Sequence, residues 1–151
     1  MSADATERAV LVGPPGWNND EIQRRLAKAR HVRVVGFVRR ELLPAVYEGC
    51  SLFAFPSLYE GFGMPVLEAM AAGAPVMTSK RSALPEVLGK TGLLVHPKKP
   101  EEMAEAMRGG LEDSHTAALM GAQARQRARQ FSWERCALDT KKFFEETVEG
   151  R

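Results

Sequence analysis

Short apolar runs alternate along this chain with stretches of helical period. Ala9-Val10-Leu11-Val12 is wholly apolar and closes on Gly13-Pro14-Pro15-Gly16, which predicts a strand and a turn. Ile22, Leu26 and Ala29 then share one helical face, so a helix is expected over roughly 20–30, capped by Asn18 or Asn19. Val32 to Val35 reads as a second strand ended by Gly36, and Glu41 to Tyr47 as a short helix with Leu42, Leu43 and Val46 inward. A third strand is expected over Leu52–Phe55, then a helix from Pro65 to Ala72, opened by the proline and stopped by Gly73. Pro75 to Thr78 is a fourth strand, Leu84–Leu88 a brief helix and Leu93–Val95 a fifth strand. Pro100 opens a helix with Met103, Ala106 and Met107 inward. A further helix is expected from Thr116 to Gln130, and Ser132 caps a last one running from Trp133 to about Val148.

Strands separated by single helices imply βαβ crossovers and a parallel sheet. Their unbroken apolar character suits strands covered on both faces. The expected class is therefore α/β: a Rossmann-like parallel sheet with helices on both faces and a helical C-terminal tail. Residues 9–151 read as one domain, with 1–8 disordered or an arm.

Composition narrows the function classes. The chain has 151 residues, 44% apolar and 26% charged, and a net charge of +2, ordinary values for a soluble globular protein. Its basic residues are spread and lack aromatic interleaving, so nucleic acid is not expected as a partner. Cys50 and Cys136 lie in apolar sequence without metal spacing and read as free thiols in a reducing compartment. No apolar stretch approaches the roughly 18 residues that span a membrane. The first residues lack a signal-peptide pattern, so a cytoplasmic location is expected.

The segment Phe55 to Glu68 carries the chemistry. Glu60 stands on a loop with Gly61 and Gly63, and Glu68 is the only charged side chain between Met64 and Ser79. In open parallel sheets, ligands bind beyond the carboxyl ends of the strands, where this loop falls. A helix N-terminus offers unpaired N–H groups and partial positive charge, and glycines admit a bulky anion. A carboxylate such as Glu68 suits the vicinal diol of a ribose, and Glu60 could hold hydroxyls beyond the phosphates. The alternatives are a structural turn and a glutamate that is solvated or paired with Lys80 or Arg81. A nicotinamide-binding loop is disfavoured, because Gly13-Pro14-Pro15-Gly16 replaces N–H donors with prolines.

These residues resemble the glutamate–seven–glutamate motif of retaining glycosyltransferases of family 4, also called group 1. Leu11-Val12-Gly13, Gly36-Phe37-Val38, Phe55 through Gly73, Pro75-Val76, Leu84 to Val87, Leu93 to Pro97 and Phe131-Ser132-Trp133 follow that family's order. The resemblance implies the C-terminal, donor-binding half of the two-domain GT-B architecture. It implies transfer of a hexosyl group from a nucleoside diphosphate sugar to an acceptor sugar or lipid-linked sugar. GDP-mannose and UDP-glucose are the implied donors, with no cofactor and no metal. By the same resemblance Glu60 is the candidate catalytic residue, contacting the donor sugar. Gly61, Phe62 and Gly63 present backbone to sugar and diphosphate, Met64, Pro65 and Val66 form the helix start facing the diphosphate, and Glu68 binds the ribose. Phe37 and Val38 line the base pocket. Ser82, Leu84, Pro85 and Glu86 support the site from the next loop. Phe131 and Trp133 match a C-terminal block of the family and read as a packing anchor for the last helix rather than a ligand contact.

The sequence also departs from that family. The Arg and Lys that neutralise the diphosphate, the first strand–helix unit and the N-terminal domain have no counterpart in it. The usual strand order, 3-2-1-4-5-6, then leaves the strands at Ala9 and Leu52 flanking a vacancy. Another chain, or self-association, is expected to fill it. A stand-alone nucleotide-sugar binding module and an inactive truncated fragment are the competing readings. Arg125, Arg127 and Arg129 read as a solvated helix face rather than a contact with an anionic membrane surface. His31, His96 and His115 show no ligand spacing.

Overall fold

The computed structural model describes residues 9–149; the arm expected over 1–8 lies outside the described residues. The chain divides into two compact units, the first ending at Leu43 and the second beginning at Pro44.

In the first unit, β1 (Ala9–Val12) and β2 (Val32–Gly36) pair in parallel, with Ala9 opposite Val32 and Leu11 opposite Val34. The crossover is α1 (Asp20–Leu26), shorter than the expected 20–30. It ends early because Lys28 and Ala29 donate to carbonyls only three residues back, tightening the chain into a turn. Asn19 occupies the cap position without a side-chain cap bond, and Asn18 sits at φ +50°. All four β1 residues are exposed, Val10 at 52%. The expectation of strands covered on both faces therefore fails here. One seven-residue crossover has too little surface to cover both faces of a ribbon.

The second unit follows a 3₁₀ turn at Arg40–Leu42, which with α2 (Leu43–Glu48) replaces the single helix expected over Glu41–Tyr47. Its sheet is parallel, ordered β3 (Phe53–Phe55), β4 (Val76–Ser79), β5 (Leu93–Val95). Phe53 lies opposite Val76, and Met77 opposite Leu93. Every β4 residue is buried, as a central strand covered on both faces should be. Its two polar residues are satisfied locally: the Thr78 hydroxyl donates to Phe55 O at 2.7 Å and the Ser79 hydroxyl to Ser57 O at 2.6 Å. Helix α3 (Met64–Ala72) and α4 (Leu84–Leu88) supply Val66, Ala69, Met70, Leu84, Val87 and Leu88 to the core around β4. Each larger apolar side chain so buried contributes on the order of 1.5–3 kcal/mol.

Helices α5 (Pro100–Glu112), α6 (Ser114–Ala128) and α7 (Trp133–Glu149) form the tail. Asp113 caps α6, accepting from the His115 N–H and the Thr116 hydroxyl. Ser132 caps α7, accepting from the Arg135 N–H at 3.1 Å. Helix α6 packs on α3 and pins its C-terminus. Gly73 ends α3 at φ +83°, with Ala74 N–H bonded to Ala69 O and Gly73 N–H to Met70 O. Gly121 of α6 lies so close to the Gly73 carbonyl that no side chain fits between them. Arg125 donates to Ala71 O, while Arg127 donates to Val87 O at 2.8 Å and to Glu86 O. Two of the three arginines read as a solvated face therefore bind the C-terminal carbonyls of α3 and α4.

The strands expected to border a vacancy, β1 and β3, belong to separate sheets, and each has one side without a strand partner among the described residues. No helix there is long and apolar enough to cross a membrane.

Candidate functional site

The loop after β3 is held from below by hydroxyls. Ser57 O accepts from Ser79, as above, and the Glu60 N–H donates to the Ser82 hydroxyl at 3.0 Å. The Ser57 hydroxyl donates to Glu60 Oε1 at 2.9 Å. Ser82 reaches this position from a left-handed backbone, φ +50°. Glu60 is thus fixed through both its backbone and its side chain, by loops at the carboxyl ends of β3 and β4. Of the block expected to support the site from the next loop, Ser82 does so directly. Leu84 is fully buried beneath Gly63, while Glu86 offers only its carbonyl, to Arg127.

Gly63 precedes α3 at φ +96°, and a Cβ there would lie 2.5 Å from Leu84 Cδ2. The turn needs glycine both for its backbone and for space. Gly61 differs, because a Cβ there would meet nothing within 4 Å. At the helix mouth the Val66 and Leu67 N–H groups both turn back to Gly63 O, and Val66 is fully buried. Pro65 has no N–H. The expected diphosphate-facing donors therefore shift toward the loop. Among the described residues, the N–H groups of Gly61, Phe62, Gly63 and Met64 meet no carbonyl or side-chain acceptor. Four successive free donors at a helix N-terminus suit an anion.

Glu68 stands one turn further along α3, half-buried, with Oε2 accepting from the Tyr47 hydroxyl at 3.0 Å. Burial, then the neighbouring Glu68 carboxylate, pushes the Tyr47 phenol up to about 12. Sequence reasoning missed Tyr47 as a site residue. It was read only as the end of a short helix, and nothing in periodicity marks a partner 21 residues away. Lys80 and Arg81, weighed as ion partners of Glu68 in the alternative reading, go elsewhere. Lys80 Nζ pairs with Glu102 Oε1 at 2.9 Å, and Arg81 Nη2 lies 3.3 Å from His96 Nε2. The reason is register: the chain after β4 runs toward the end of β5, where Lys80 N–H bonds Val95 O. Neither Glu60 nor Glu68 is paired with an arginine or lysine among the described residues.

A cavity of about 750 Å³ borders the α3 mouth, lined by Phe62, Met64 and Leu67 and by the start of α7. Neither glutamate lines it. Phe131 serves as the expected anchor, edge-on to Phe62 at 5.9 Å and beneath the Arg127 guanidinium at 5.7 Å. Trp133 does not: it is 78% exposed and borders the cavity. Cys136 is also exposed, contrary to its apolar sequence surroundings, while Cys50 is half-buried, and burial pushes its thiol up. Phe37 and Val38 follow β2 in the first unit, and Phe37 is 78% exposed. No three His, Cys, Asp or Glu residues among those described cluster as metal ligands.

A parallel α/β sheet with an acidic, amide-rich loop at its carboxyl end is a Rossmann-like arrangement for anionic ligands. Residues 2–113 match the family Glycosyl transferases group 1, and the chain belongs to that family. It is 37% identical over 134 residues to the O-antigen chain mannosyltransferase B of Escherichia coli, covering 87% of this chain and 35% of that protein. It is 31% identical over 153 residues to the D-inositol 3-phosphate glycosyltransferase of Corynebacterium glutamicum, covering 96% of this chain and 37% of that protein. Among solved structures, sucrose-phosphate synthase from Thermosynechococcus elongatus superposes with a TM-score of 0.76 at 30% identity, over 94% of this chain and 39% of that one. Anabaena HepE in complex with UDP and glucose gives 0.75 at 25%, over 95% and 41%. The expected GT-B, C-terminal-half fold is thereby met. The chain spans little more than a third of the length of these relatives.

Proposed function

We propose that this chain forms the donor-binding part of a retaining glycosyltransferase that moves a hexosyl group from a nucleoside diphosphate sugar to an acceptor. The observation that carries the reading is the placement of two glutamates, neither ion-paired, on either side of a run of free backbone N–H groups. In this reading the donors of residues 61–64 hold the diphosphate. Glu68 takes the ribose diol, and Glu60, braced by Ser57 and Ser82, takes the sugar hydroxyls. Their role is to bind and orient, while the oriented amides stabilise charge on the departing diphosphate. No metal enters this scheme. The base contacts of Phe37 and Val38 rest on the resemblance alone. HepE, whose complex holds UDP and glucose, supports a nucleotide-sugar donor, and the mannosyltransferase relative keeps GDP-mannose beside UDP-glucose as a candidate. The acceptor and further basic groups for the diphosphate are assigned to protein outside this sequence, in line with the third of its relatives that the chain spans.

Calorimetric titration with UDP, GDP, ADP and their sugar conjugates tests the reading. Saturable binding of one nucleotide is expected, weakened about tenfold or more by Glu68→Gln through loss of a charge-assisted contact. Absence of binding by all of them, or unchanged affinity in Glu68→Gln, refutes it.

A further inference from the structure

We propose that Tyr47 is a positioning residue for Glu68 and that its hydroxyl sets the site's preference for an intact ribose. The inference rests on the proposed role of Glu68. A glutamate on a helix surface ordinarily samples several rotamers, and ordering it costs entropy when a ligand arrives. Here that freedom is removed beforehand. Tyr47 is only 8% exposed, and its ring meets Phe53 of β3 edge-on, at 5.3 Å and 86°. Cys50 ties in below, its thiol donating to Tyr47 O at 3.1 Å. The ring is therefore placed by the strand that leads into the Glu60 loop. From that fixed point the hydroxyl donates to Glu68 Oε2. Oε1 forms no hydrogen bond among the described residues and is the oxygen this scheme assigns to the vicinal hydroxyls. A phenol keeps its proton at neutral pH, and burial pushes that of Tyr47 up further, so the bond runs from tyrosine to carboxylate. Tyr47 touches no ligand in this scheme and acts through the carboxylate.

The test compares UDP and GDP with their 2′,3′-dideoxy forms by calorimetry, on the wild type, Tyr47→Phe, Glu68→Gln and the double variant. The wild type is expected to prefer the ribose form about tenfold. Tyr47→Phe should cut that ratio to about threefold while leaving affinity for the dideoxy form unchanged. In the double variant the tyrosine change should add nothing to the loss already caused by Glu68→Gln. A merely structural role would weaken both ligands alike and leave the ratio intact. Loss of the ratio in Glu68→Gln but not in Tyr47→Phe overturns the inference and spares the proposed function. No ribose preference in the wild type, or no nucleotide binding at all, overturns both. Phe53→Leu, which loosens the ring and keeps the hydroxyl, is the second variant, with an intermediate ratio expected. Should Tyr47→Phe fail to fold, a wild-type ratio in Phe53→Leu overturns the inference.

Discussion

Replacing Gly63 by alanine separates the architectural demand on the loop from its chemical one. Gly63 holds φ +96°, where an L-residue costs roughly 1–2 kcal/mol. Its new Cβ would fall 2.5 Å from Leu84 Cδ2, whereas carbon atoms rest about 3.5–4 Å apart. Leu84 is fully buried against the α3–β4 core and cannot swing into solvent. Such overpacking typically costs 1–3 kcal/mol. Together the terms predict a loss of about 2–5 kcal/mol, a large share of the stability of an ordinary domain. Urea unfolding followed by circular dichroism reads it directly, through a lower midpoint at unchanged slope. Gly61→Ala is the control. Its Cβ meets nothing within 4 Å and its φ is not positive, so stability should stay within about 0.5 kcal/mol. Its nucleotide affinity should nonetheless fall, because the methyl group intrudes on the proposed diphosphate. A Gly63→Ala protein as stable as Gly61→Ala would refute the argument that Leu84 and the left-handed turn jointly require glycine.

Other consequences are accessible to simple measurements. In an alkaline absorbance titration one of the two tyrosines should ionise late, near 12, and Tyr47→Phe should remove that phase. Because the folded phenol binds its proton more tightly than the unfolded one, its contribution to stability is complete below about 10 and fades toward 12. Arg127→Ala strips two carbonyls at the end of α4 of a charged donor and should cost about 1.5–3 kcal/mol in chemical denaturation. Arg127→Lys, lacking the planar fork, should recover only part, and full recovery would count against the two-carbonyl geometry. The Lys80 ammonium, then the His96 N–H, holds the Glu102 carboxyl below the ordinary glutamate range. Its stabilisation should be present above the ordinary glutamate range and disappear as acid titrates the carboxylate, and Glu102→Gln should flatten that part of an acid-unfolding curve.

The sequence made much of the second unit legible because local rules act there in concert. Pro100 and Ser132 mark helix starts and Gly73 a helix end, Val76-Met77 marks the start of β4, and an unbroken apolar run marks β5. Glu60 and Glu68 could be singled out because charge is scarce around them. What resisted reading was long-range partnership. Tyr47 reaches Glu68 across 21 residues, and Arg127 reaches Glu86 across 41. A side chain's spacing reveals which face it occupies, not which carbonyl or carboxylate awaits it. The same gap explains Lys80 and Arg81, the first basic residues after the motif in sequence yet directed to Glu102 and His96. Burial of β1 was misread for a related reason: an apolar run states an appetite for cover, and the fold decides how much is supplied.

The match to the family ends at residue 113, yet α6 begins beyond it and clasps the far end of the glutamate-bearing helix through Gly121 and Arg125. Shortening the protein at that limit would uncap α3, loosening the platform on which Glu68 stands. The tail thus works as a brace for α3, and changes made in it should be felt at the proposed nucleotide site before the fold itself gives way.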